Sequence, residues 1–272
     1  MQYDPIKRSL GRFFNQRPIL RKLFYRLLDW LLLRSWHIRK ELRRLEIDRL
    51  PAPLIFDAGS GFGQYSYRMA RMFPRAKIVA ADIKEEQIAD CKHFFGQVGL
   101  SDRVHFRLID LTRYSGAGKF DLVISVDVME HIEDDRKVFE NLYKVMKTGA
   151  TLLISTPSDR GGSDAHAHDE DETSGFIDEH VRDGYNLLEI EEKLLTAGFR
   201  RVEAHYSYGW PGKLSWKLSM KYPIVLLGIS KLFFIVLPFY YLITFPVSMI
   251  LNYLDVNMKH STGTGLIVKA TR

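Results

Sequence analysis

The sequence predicts an α/β protein in which a parallel sheet carries helices on both of its faces. Apolar runs of strand length alternate with stretches of helical periodicity from about residue 50 to about residue 160, which is typical of parallel strands joined by helical crossovers. The first run, residues 54–56, leads into three glycines at alternate positions, and four strands end in an aspartate. These features predict a ligand site at the carboxyl ends of the strands.

Length and composition set the limits of the prediction. The chain has 272 residues, 46% of them hydrophobic, which suits one large α/β domain with an appendage and is too polar for an integral membrane bundle. The single cysteine, Cys91, excludes an intramolecular disulfide and fits a reducing compartment. Because the first residues lack the pattern of a secretory signal, we expect a location in the cytoplasm or, as a peripheral or monotopic protein, on the cytoplasmic face of a membrane.

The first 50 residues form a basic segment. They hold 13 Lys or Arg against 5 Asp or Glu, a balance of +8 within a net charge of +6, which leaves −2 for the rest of the chain. Apolar residues recur at helical spacing from residue 18 to residue 45, so we predict an amphipathic helix that resembles an interfacial membrane helix. The alternative is a helix packed on the domain with its arginines in water. Nucleic acid is the least favoured partner, because the apolar face is too wide for a surface that meets only phosphate.

The next hundred residues predict the alternating elements of the domain. In chain order these are a strand at 54–56, a helix at 62–73, a strand at 77–82, a helix at 88–98, strands at 104–110 and 120–127, a helix at 131–146 and a strand at 150–156. Pro74 stops the first of these helices.

Acidic residues follow four of the strands: Asp57, Asp82, Asp110 and Asp127. For each of them alone, a structural role as a cap of the next helix is the favoured explanation. Together with the glycine turn they are informative. An acid that closes the second strand about 25 residues after such a turn is placed to accept two hydrogen bonds from a ribose diol.

These residues resemble four motifs of the class I S-adenosylmethionine-dependent methyltransferases. The motifs are Asp-Ala-Gly-Ser-Gly-Phe-Gly at 57–63, Asp82, Ile-Asp-Leu at 109–111 and Phe-Asp-Leu-Val-Ile-Ser at 120–125. The alternate glycines also depart from the Gly-x-Gly-x-x-Gly pattern of dehydrogenases. The resemblance implies the cofactor S-adenosylmethionine and a seven-stranded, mostly parallel Rossmann-like sheet that ends in an antiparallel pair at 201–208 and 265–271.

The resemblance also assigns residues to the cofactor. It implies that the glycine turn lies along the methionine part, that Asp82 takes the ribose hydroxyls, and that Asp110 with Leu111 holds the adenine. The full predicted set is Asp57, Gly59, Ser60, Gly61, Gly63, Tyr65, Asp82, Ile83, Asp110, Leu111 and Asp127.

The segment 127–131, Asp-Val-Met-Glu-His, ends the fourth strand. It is similar to the Glu-x-x-Glu-His segment of ubiquinone-biosynthesis O-methyltransferases and of small-RNA 2′-O-methyltransferases, where the acids and the histidine hold a divalent ion. The resemblance implies a Mg²⁺, Mn²⁺ or Zn²⁺ site at Asp127, Glu130 and His131, although aspartate at the first position shortens the reach. The alternative is that Glu130 and His131 only cap and pack the following helix. Without a metal, His131 still suits a general base.

A polar stretch at 157–185 leaves the fifth strand, and we expect it to overhang the active site. His166 and His168 alternate within it, which fits either one shared ion or, the favoured reading, a solvated acidic loop. The segment 180–185 looks like one that precedes the penultimate helix in several methyltransferases, so His180 joins His131 and Asp127 as a candidate catalytic residue. Asn186 is expected to cap that helix and Gly198 to end it.

Residues 224–251 are almost purely apolar and aromatic. Their length suits one membrane crossing, but if the strands at 201–208 and 265–271 pair, both ends of the insertion lie on the same side. We therefore predict helices that lie in the membrane interface, or a lid packed on the domain. The predicted organisation is a basic helical segment at 1–50, a cofactor domain at 51–208 and 263–272, and an apolar insertion at 209–262.

Three functions follow from this organisation. The first is a membrane-associated methyltransferase acting on an oxygen or nitrogen of a lipid-like or quinone-like acceptor. The second is a methyltransferase of a small soluble metabolite or RNA, with the apolar segments forming a homodimer interface. The third is an inactive membrane-bound adaptor that keeps the cofactor fold as a scaffold.

Overall fold

The computed structural model describes residues 17–161, 181–230 and 232–272. Its centre is a seven-stranded sheet in the order β3-β2-β1-β4-β5-β7-β6, in which β7 runs antiparallel to both of its neighbours. The strands are β1 (Leu54–Ala58), β2 (Lys77–Asp82), β3 (Val104–Leu108), β4 (Phe120–Val126), β5 (Met146–Pro157), β6 (Arg201–Ser207) and β7 (Gly265–Thr271). The predicted fold class is confirmed.

Helices cover both faces of this sheet. In chain order they are α1 (Pro18–Leu31), α2 (Leu33–Arg44), α3 (Gln64–Met72), α4 (Glu85–Gln97), α5 (Asp135–Val145), α6 (Leu187–Thr196), α7 (Trp210–Trp216), α8 (Tyr222–Ile229) and α9 (Phe233–Asn257). Side chains of α1 to α4 share one buried apolar cluster with the sheet, and those of α5 and α6 share the other. The central strand β4 is buried on both faces, as strands of parallel sheets usually are.

Several element boundaries differ from the sequence-based prediction. The single helix predicted from residue 18 to residue 45 is two helices, because Leu32 adopts an extended conformation between them (φ −87°, ψ 111°). The helix predicted to begin at His131 begins at Asp135, where Asp134 accepts a hydrogen bond from the Lys137 amide at 3.2 Å. The predicted cap at Asn186 is confirmed, since its side chain accepts from the Leu188 amide at 3.0 Å. Gly198, with φ +109°, follows α6 as predicted.

The insertion between β6 and β7 is a helical hairpin. A five-residue π-helical turn, Lys217–Lys221, joins α7 to α8, and α9 returns alongside them. The hydroxyl of Tyr240 donates to the carbonyl of Leu218 at 2.7 Å. Because β6 and β7 pair directly, both ends of the hairpin are on the same side of the domain, as the topology argument required.

The outer part of this hairpin is apolar and exposed. In the described ranges, α9 is the one helix long and apolar enough to cross a membrane by length and composition, and little of its apolar stretch is buried. Its last turns contain the residues that hold it to the domain, since Leu251, Asn252 and Asp255 are buried.

Candidate active site

The glycine turn joins β1 to α3 at the carboxyl edge of the sheet. Gly59, Gly61 and Gly63 have φ values of +88°, +50° and +74°, a region that side chains disfavour. The amides of Gly59 and Ser60 donate to the carbonyl of Ala81 at 2.9 and 2.8 Å, so the turn lies against the end of β2. A Cβ on Gly59 would lie 2.2 Å from Val128 Cγ2. The segment after β4 therefore approaches this turn closely.

Asp57 supports the turn from inside the protein. Its carboxylate is buried and accepts a hydrogen bond from Ser66 Oγ of α3 at 2.5 Å. Burial raises the pKa of Asp57 to about 7, although the bond from Ser66 opposes the shift. Its contact with α3 indicates a structural contribution to the site.

Two backbone amides hold the carboxylate of Asp82 in place, and they leave part of its hydrogen-bonding capacity for a ligand. Its Oδ2 accepts from the Gly61 amide at 2.8 Å and its Oδ1 from the Lys84 amide at 2.9 Å. A carboxylate accepts up to about four hydrogen bonds, so each oxygen keeps capacity for one more donor. This geometry suits the predicted role with a ribose diol.

The turn has room for a cofactor on its open side. A Cβ added to Gly61 would meet only Gln87 Oε1, at 4.0 Å. Beside it, the buried hydroxyl of Ser60 has no hydrogen-bond partner among the described residues. Open space next to a buried hydroxyl that the described residues leave unpaired fits a bound polar ligand.

The other predicted cofactor residues occupy different environments. Ile83 is an exposed apolar side chain directly after Asp82. Asp110 is exposed and accepts from the Thr112 amide and hydroxyl at 2.9 and 2.6 Å, and these bonds lower its pKa. The side chain of Leu111 belongs to the buried core. Tyr65 faces α2, where its hydroxyl lies 3.3 Å from Ser35 Oγ.

Asp127 carries the polar contacts at the end of β4. It has an uncommon φ of +51° and forms an ion pair with Arg34 of α2. Burial lowers the pKa of Arg34, but Asp127, Tyr65 and Tyr208 together outweigh this effect, so the pKa is raised. The Arg34 amide also donates to the hydroxyl of Tyr208 at 3.0 Å. Asp127, Arg34, Tyr65 and Tyr208 thus form one polar cluster beside the glycine turn.

The predicted metal site does not have the geometry of a ligand set. Asp127 is paired with Arg34, whereas Glu130 is buried and accepts from Thr156 Oγ1 at 3.1 Å. Burial and the charge of Asp127 raise the pKa of Glu130 above its usual range. His131 is exposed on the short turn Met129–His131. Among the residues that the structure describes, no three metal-ligating side chains converge. His166, His168 and His180 lie outside the described residues.

The N-terminal helices contribute polar groups that the sequence did not predict. Arg21 Nη2 donates to the carbonyl of Phe62 in the glycine turn at 2.9 Å, and the hydroxyl of Tyr25 donates to the same carbonyl. Asp29 accepts from Gln64 Nε2 at 2.6 Å. The alternative reading, a helix packed on the domain with its arginines in water, does not hold for Arg21, which is 3% exposed.

Arg21 and Tyr25 could not be distinguished in the sequence from the other polar positions of an amphipathic helix. Tyr208 gave no signal at all, since it follows a strand without a recognisable motif. Arg34 lies within the basic segment, but its partner Asp127 is 93 residues away. Only the tertiary structure brings these groups to the turn.

The comparisons with known proteins agree with this fold. A family described as "Methyltransferase domain" matches residues 54–198, more than half of the chain. The chain is 25% identical over 161 residues to malonyl-[acyl-carrier protein] O-methyltransferase 2 of Ilyobacter polytropus, which covers 56% of this chain and 59% of that protein. It is 27% identical over 159 residues to phosphoethanolamine N-methyltransferase 1 of Arabidopsis thaliana, covering 57% and 30%. The chain thus spans less than two thirds of these relatives.

Solved structures show the same fold at lower identity. Phosphoethanolamine N-methyltransferase 2 of Haemonchus contortus, in complex with S-adenosyl-L-methionine, superposes with a TM-score of 0.58 and 20% identity over 85% of this chain and 51% of that chain. The [4+2]-cyclase SpnF superposes with a TM-score of 0.56 and 16% identity over 88% and 82%. Because proteins with one fold catalyse different reactions, these structural similarities establish the fold and not the reaction.

Proposed function

The chain belongs to the class I S-adenosylmethionine-dependent methyltransferases, and on this premise we propose that it methylates an oxygen or nitrogen of an apolar, lipid-like or quinone-like acceptor at a membrane surface. The observation that carries the proposal is the exposed apolar hairpin α8–α9, joined to the domain beside the polar cluster of Asp127. The residues of the site support the cofactor half of the reaction, and the hairpin supports the choice of acceptor.

The cofactor supplies a methyl group on a sulfonium, a leaving group that needs no covalent enzyme intermediate. Asp82 would hold the ribose, and the open side of the turn at Ser60 and Gly61 would receive the rest of the molecule. The protein mainly has to orient the acceptor and, for a hydroxyl, accept its proton. Asp127 and His131 follow β4 and are the proposed proton acceptors.

The dimensions of the hairpin favour insertion into one leaflet. Helix α8 has 8 residues, and at about 1.5 Å per residue it is about 12 Å long. The hydrocarbon of one leaflet is about 15 Å thick, half of the usual core of about 30 Å. The tip can therefore enter one leaflet while the buried residues near the end of α9 stay with the domain. Its outward side chains include Ile229, Leu232, Phe234, Phe239, Leu242 and Ile243.

The residues at the base of the hairpin suit a lipid headgroup region. Lys213, Lys217 and Lys221 follow at four-residue intervals on α7 and the π-helical turn, which places them on one stripe. Trp216 and Tyr222 beside them are exposed. Lysines and amphipathic aromatic rings are enriched at this level of membrane proteins. Location on the cytoplasmic face, as a peripheral or monotopic protein, is part of the proposal.

The acceptor is proposed at the level of chemical class. The similarity of residues 127–131 to the ubiquinone-biosynthesis enzymes supports a quinone-like acceptor. The relatives described above are named for malonyl-[acyl-carrier protein] and for phosphoethanolamine, which support instead an acceptor with a polar reacting group. A lipid-like acceptor combines such a group with an apolar tail, and the exposed hairpin favours it.

Vesicle sedimentation with a methyl-transfer assay tests the proposal. The protein should sediment with phosphatidylcholine–phosphatidylglycerol vesicles and transfer label from S-adenosylmethionine into the organic extract of membranes. Leu242→Asp on the hairpin should reduce sedimentation. Leu188→Asp on α6 is the matched control, because the two leucines are 75% and 72% exposed.

The same experiments separate the two alternatives. If the protein forms dimers, does not sediment with vesicles and transfers label only into the aqueous phase, it is instead a methyltransferase of a soluble acceptor. A protein that binds vesicles but neither binds the cofactor nor transfers label would be an adaptor.

A further inference from the structure

Helix α1 buries two polar side chains on its inner face and exposes three apolar residues and Arg26 on its outer face, while Phe24 packs against the core. Arg21 and Tyr25 are its buried residues, whereas Ile19 is 76% exposed and Leu23 and Trp30 about half exposed. A helix that only packs on a soluble domain buries its apolar stripe. Packing within this domain therefore does not explain why these apolar residues of α1 are exposed.

The inner face of α1 contacts the cofactor turn directly. Arg21 and Tyr25 both donate to the carbonyl of Phe62, which lies between Gly61 and Gly63. Asp29, one turn further along, accepts from Gln64 Nε2 and pairs with Arg68 of α3. The position of α1 thus helps to fix the turn and the first residues of α3.

The outer face of α1 is continuous with the hairpin. The ring of Trp30 lies 6.0 Å from the ring of Phe245 on α9, and Asn252 Nδ2 donates to the carbonyl of Trp30 at 3.4 Å. A surface that receives the hairpin therefore also meets α1. One helix then connects that surface to the cofactor turn.

The charge of this surface identifies its partner. Of the five lysines in residues 209–262, four lie before α8 or after α9, and the one acid is Asp255. Asp255 is fully buried, where it accepts from His37 and from the Gly212 amide. An apolar tip with a cationic base and no exposed acid among its described residues complements an anionic lipid bilayer.

We propose that an anionic bilayer is an allosteric ligand of the cofactor site: by holding the outer face of α1 together with the hairpin, it tightens the binding of S-adenosylmethionine. The inference rests on the proposed function. By linkage, the cofactor must raise the affinity for the bilayer by the same factor. The enzyme then binds its cofactor most tightly at the bilayer, which is where an apolar acceptor is dissolved.

Calorimetric titration of the full chain with S-adenosylmethionine tests this coupling. The titration is repeated with saturating phosphatidylglycerol-containing vesicles, and the heat of the cofactor with vesicles alone is subtracted. We expect the dissociation constant to fall about fivefold or more, the lower end of typical coupling between two sites.

Two variants test the roles of the two faces of α1 separately. Leu23→Ser, on the outer face, should weaken vesicle binding. Tyr25→Phe removes the hydroxyl that donates to the Phe62 carbonyl and accepts from Arg21 Nε. This variant should still bind vesicles but lose most of the fivefold gain in cofactor affinity. Tyr253→Phe, at an exposed position of α9, is the matched control and should keep the gain.

The outcomes distinguish the two proposals. Vesicle binding without any change in cofactor affinity would overturn the coupling and leave the proposed function intact. Absence of vesicle binding would overturn both. A Tyr25→Phe protein with the full gain would show that the coupling does not pass through the turn contact.

Discussion

Arg34 and Asp127 form an ion pair that joins the second N-terminal helix to the carboxyl end of β4. Their side chains are 36% and 29% exposed, so water screens the pair in part. We predict that a double-mutant cycle with Arg34→Gln and Asp127→Asn gives a coupling of about 1 kcal/mol in the free energy of unfolding. Because asparagine tolerates the positive φ of residue 127, the cycle measures the interaction between the two charged side chains without added backbone strain. Strict additivity in chemical denaturation would contradict this prediction.

Asp82 should be essential for cofactor affinity. A hydrogen bond to a charged group contributes about 1.5–3 kcal/mol, and each 1.4 kcal/mol is about tenfold in affinity. Asp82→Ala should therefore raise the dissociation constant for S-adenosylmethionine at least about tenfold, measured by calorimetry. Asp102→Ala, in an exposed turn at the opposite end of β3, should leave it unchanged. Equal affinities in the two variants would remove Asp82 from the site.

Gly61 and Gly99 form a matched pair. Both have positive φ, +50° and +70°, and an added Cβ meets no atom within 4 Å at Gly99 and only Gln87 Oε1 at Gly61. Alanine at either position should cost about 1–2 kcal/mol of stability from backbone strain. Only Gly61→Ala should also lose cofactor affinity, because its methyl group fills the open side of the turn. Unfolding curves and calorimetry on both variants check this, and a similar loss of affinity in Gly99→Ala would contradict it.

Asp57 should make stability depend on pH. Its pKa is raised to about 7 in the folded protein by burial, so between about pH 4 and pH 7 the folded state keeps a proton that the unfolded state has lost. Stability relative to Asp57→Asn, which cannot titrate, should therefore fall as pH rises through this window, by up to about 1.4 kcal/mol per pH unit. Denaturation at several pH values measures the difference, with Asp102→Asn as the control. A flat difference would show that Asp57 ionises normally.

Local sequence signals predicted the sheet and the cofactor turn. Glycine permits the positive φ that a tight turn needs, and Gly59, Gly61 and Gly63 adopt it here. An aspartate at the end of a buried parallel strand lies at the edge of the sheet where ligands bind. The position of Asp82 beside the turn could be predicted because it depends only on its own strand and on the neighbouring turn, and its role with the ribose stays a prediction. The hairpin followed from topology, because two paired strands fix both ends of the insertion.

Local sequence signals did not predict which face of α1 meets the domain, nor how the side chains of residues 127–131 are arranged. The periodicity of α1 shows two faces, but it does not show which one meets the domain. Arginine side chains are usually exposed, but Arg21 is buried because a backbone carbonyl, a tyrosine hydroxyl and the Cys91 sulfur accept hydrogen bonds from its guanidinium group. Likewise, the metal site predicted at residues 127–131 depended on side chains converging, whereas Asp127 turns to Arg34 and Glu130 to Thr156.

The hairpin leaves and re-enters the sheet at adjacent positions. Ser207 is paired with Gly265, and the Thr264 amide donates to the carbonyl of Tyr208 at 3.3 Å. In topological terms the whole insertion is the loop of one β-hairpin, and doubling the length of a flexible loop costs only about 0.6 kcal/mol. A single deletion or insertion in a gene can therefore remove or add the hairpin without reordering a strand. On the proposed function, such a change would convert a membrane-bound form of the enzyme into a soluble one, or the reverse.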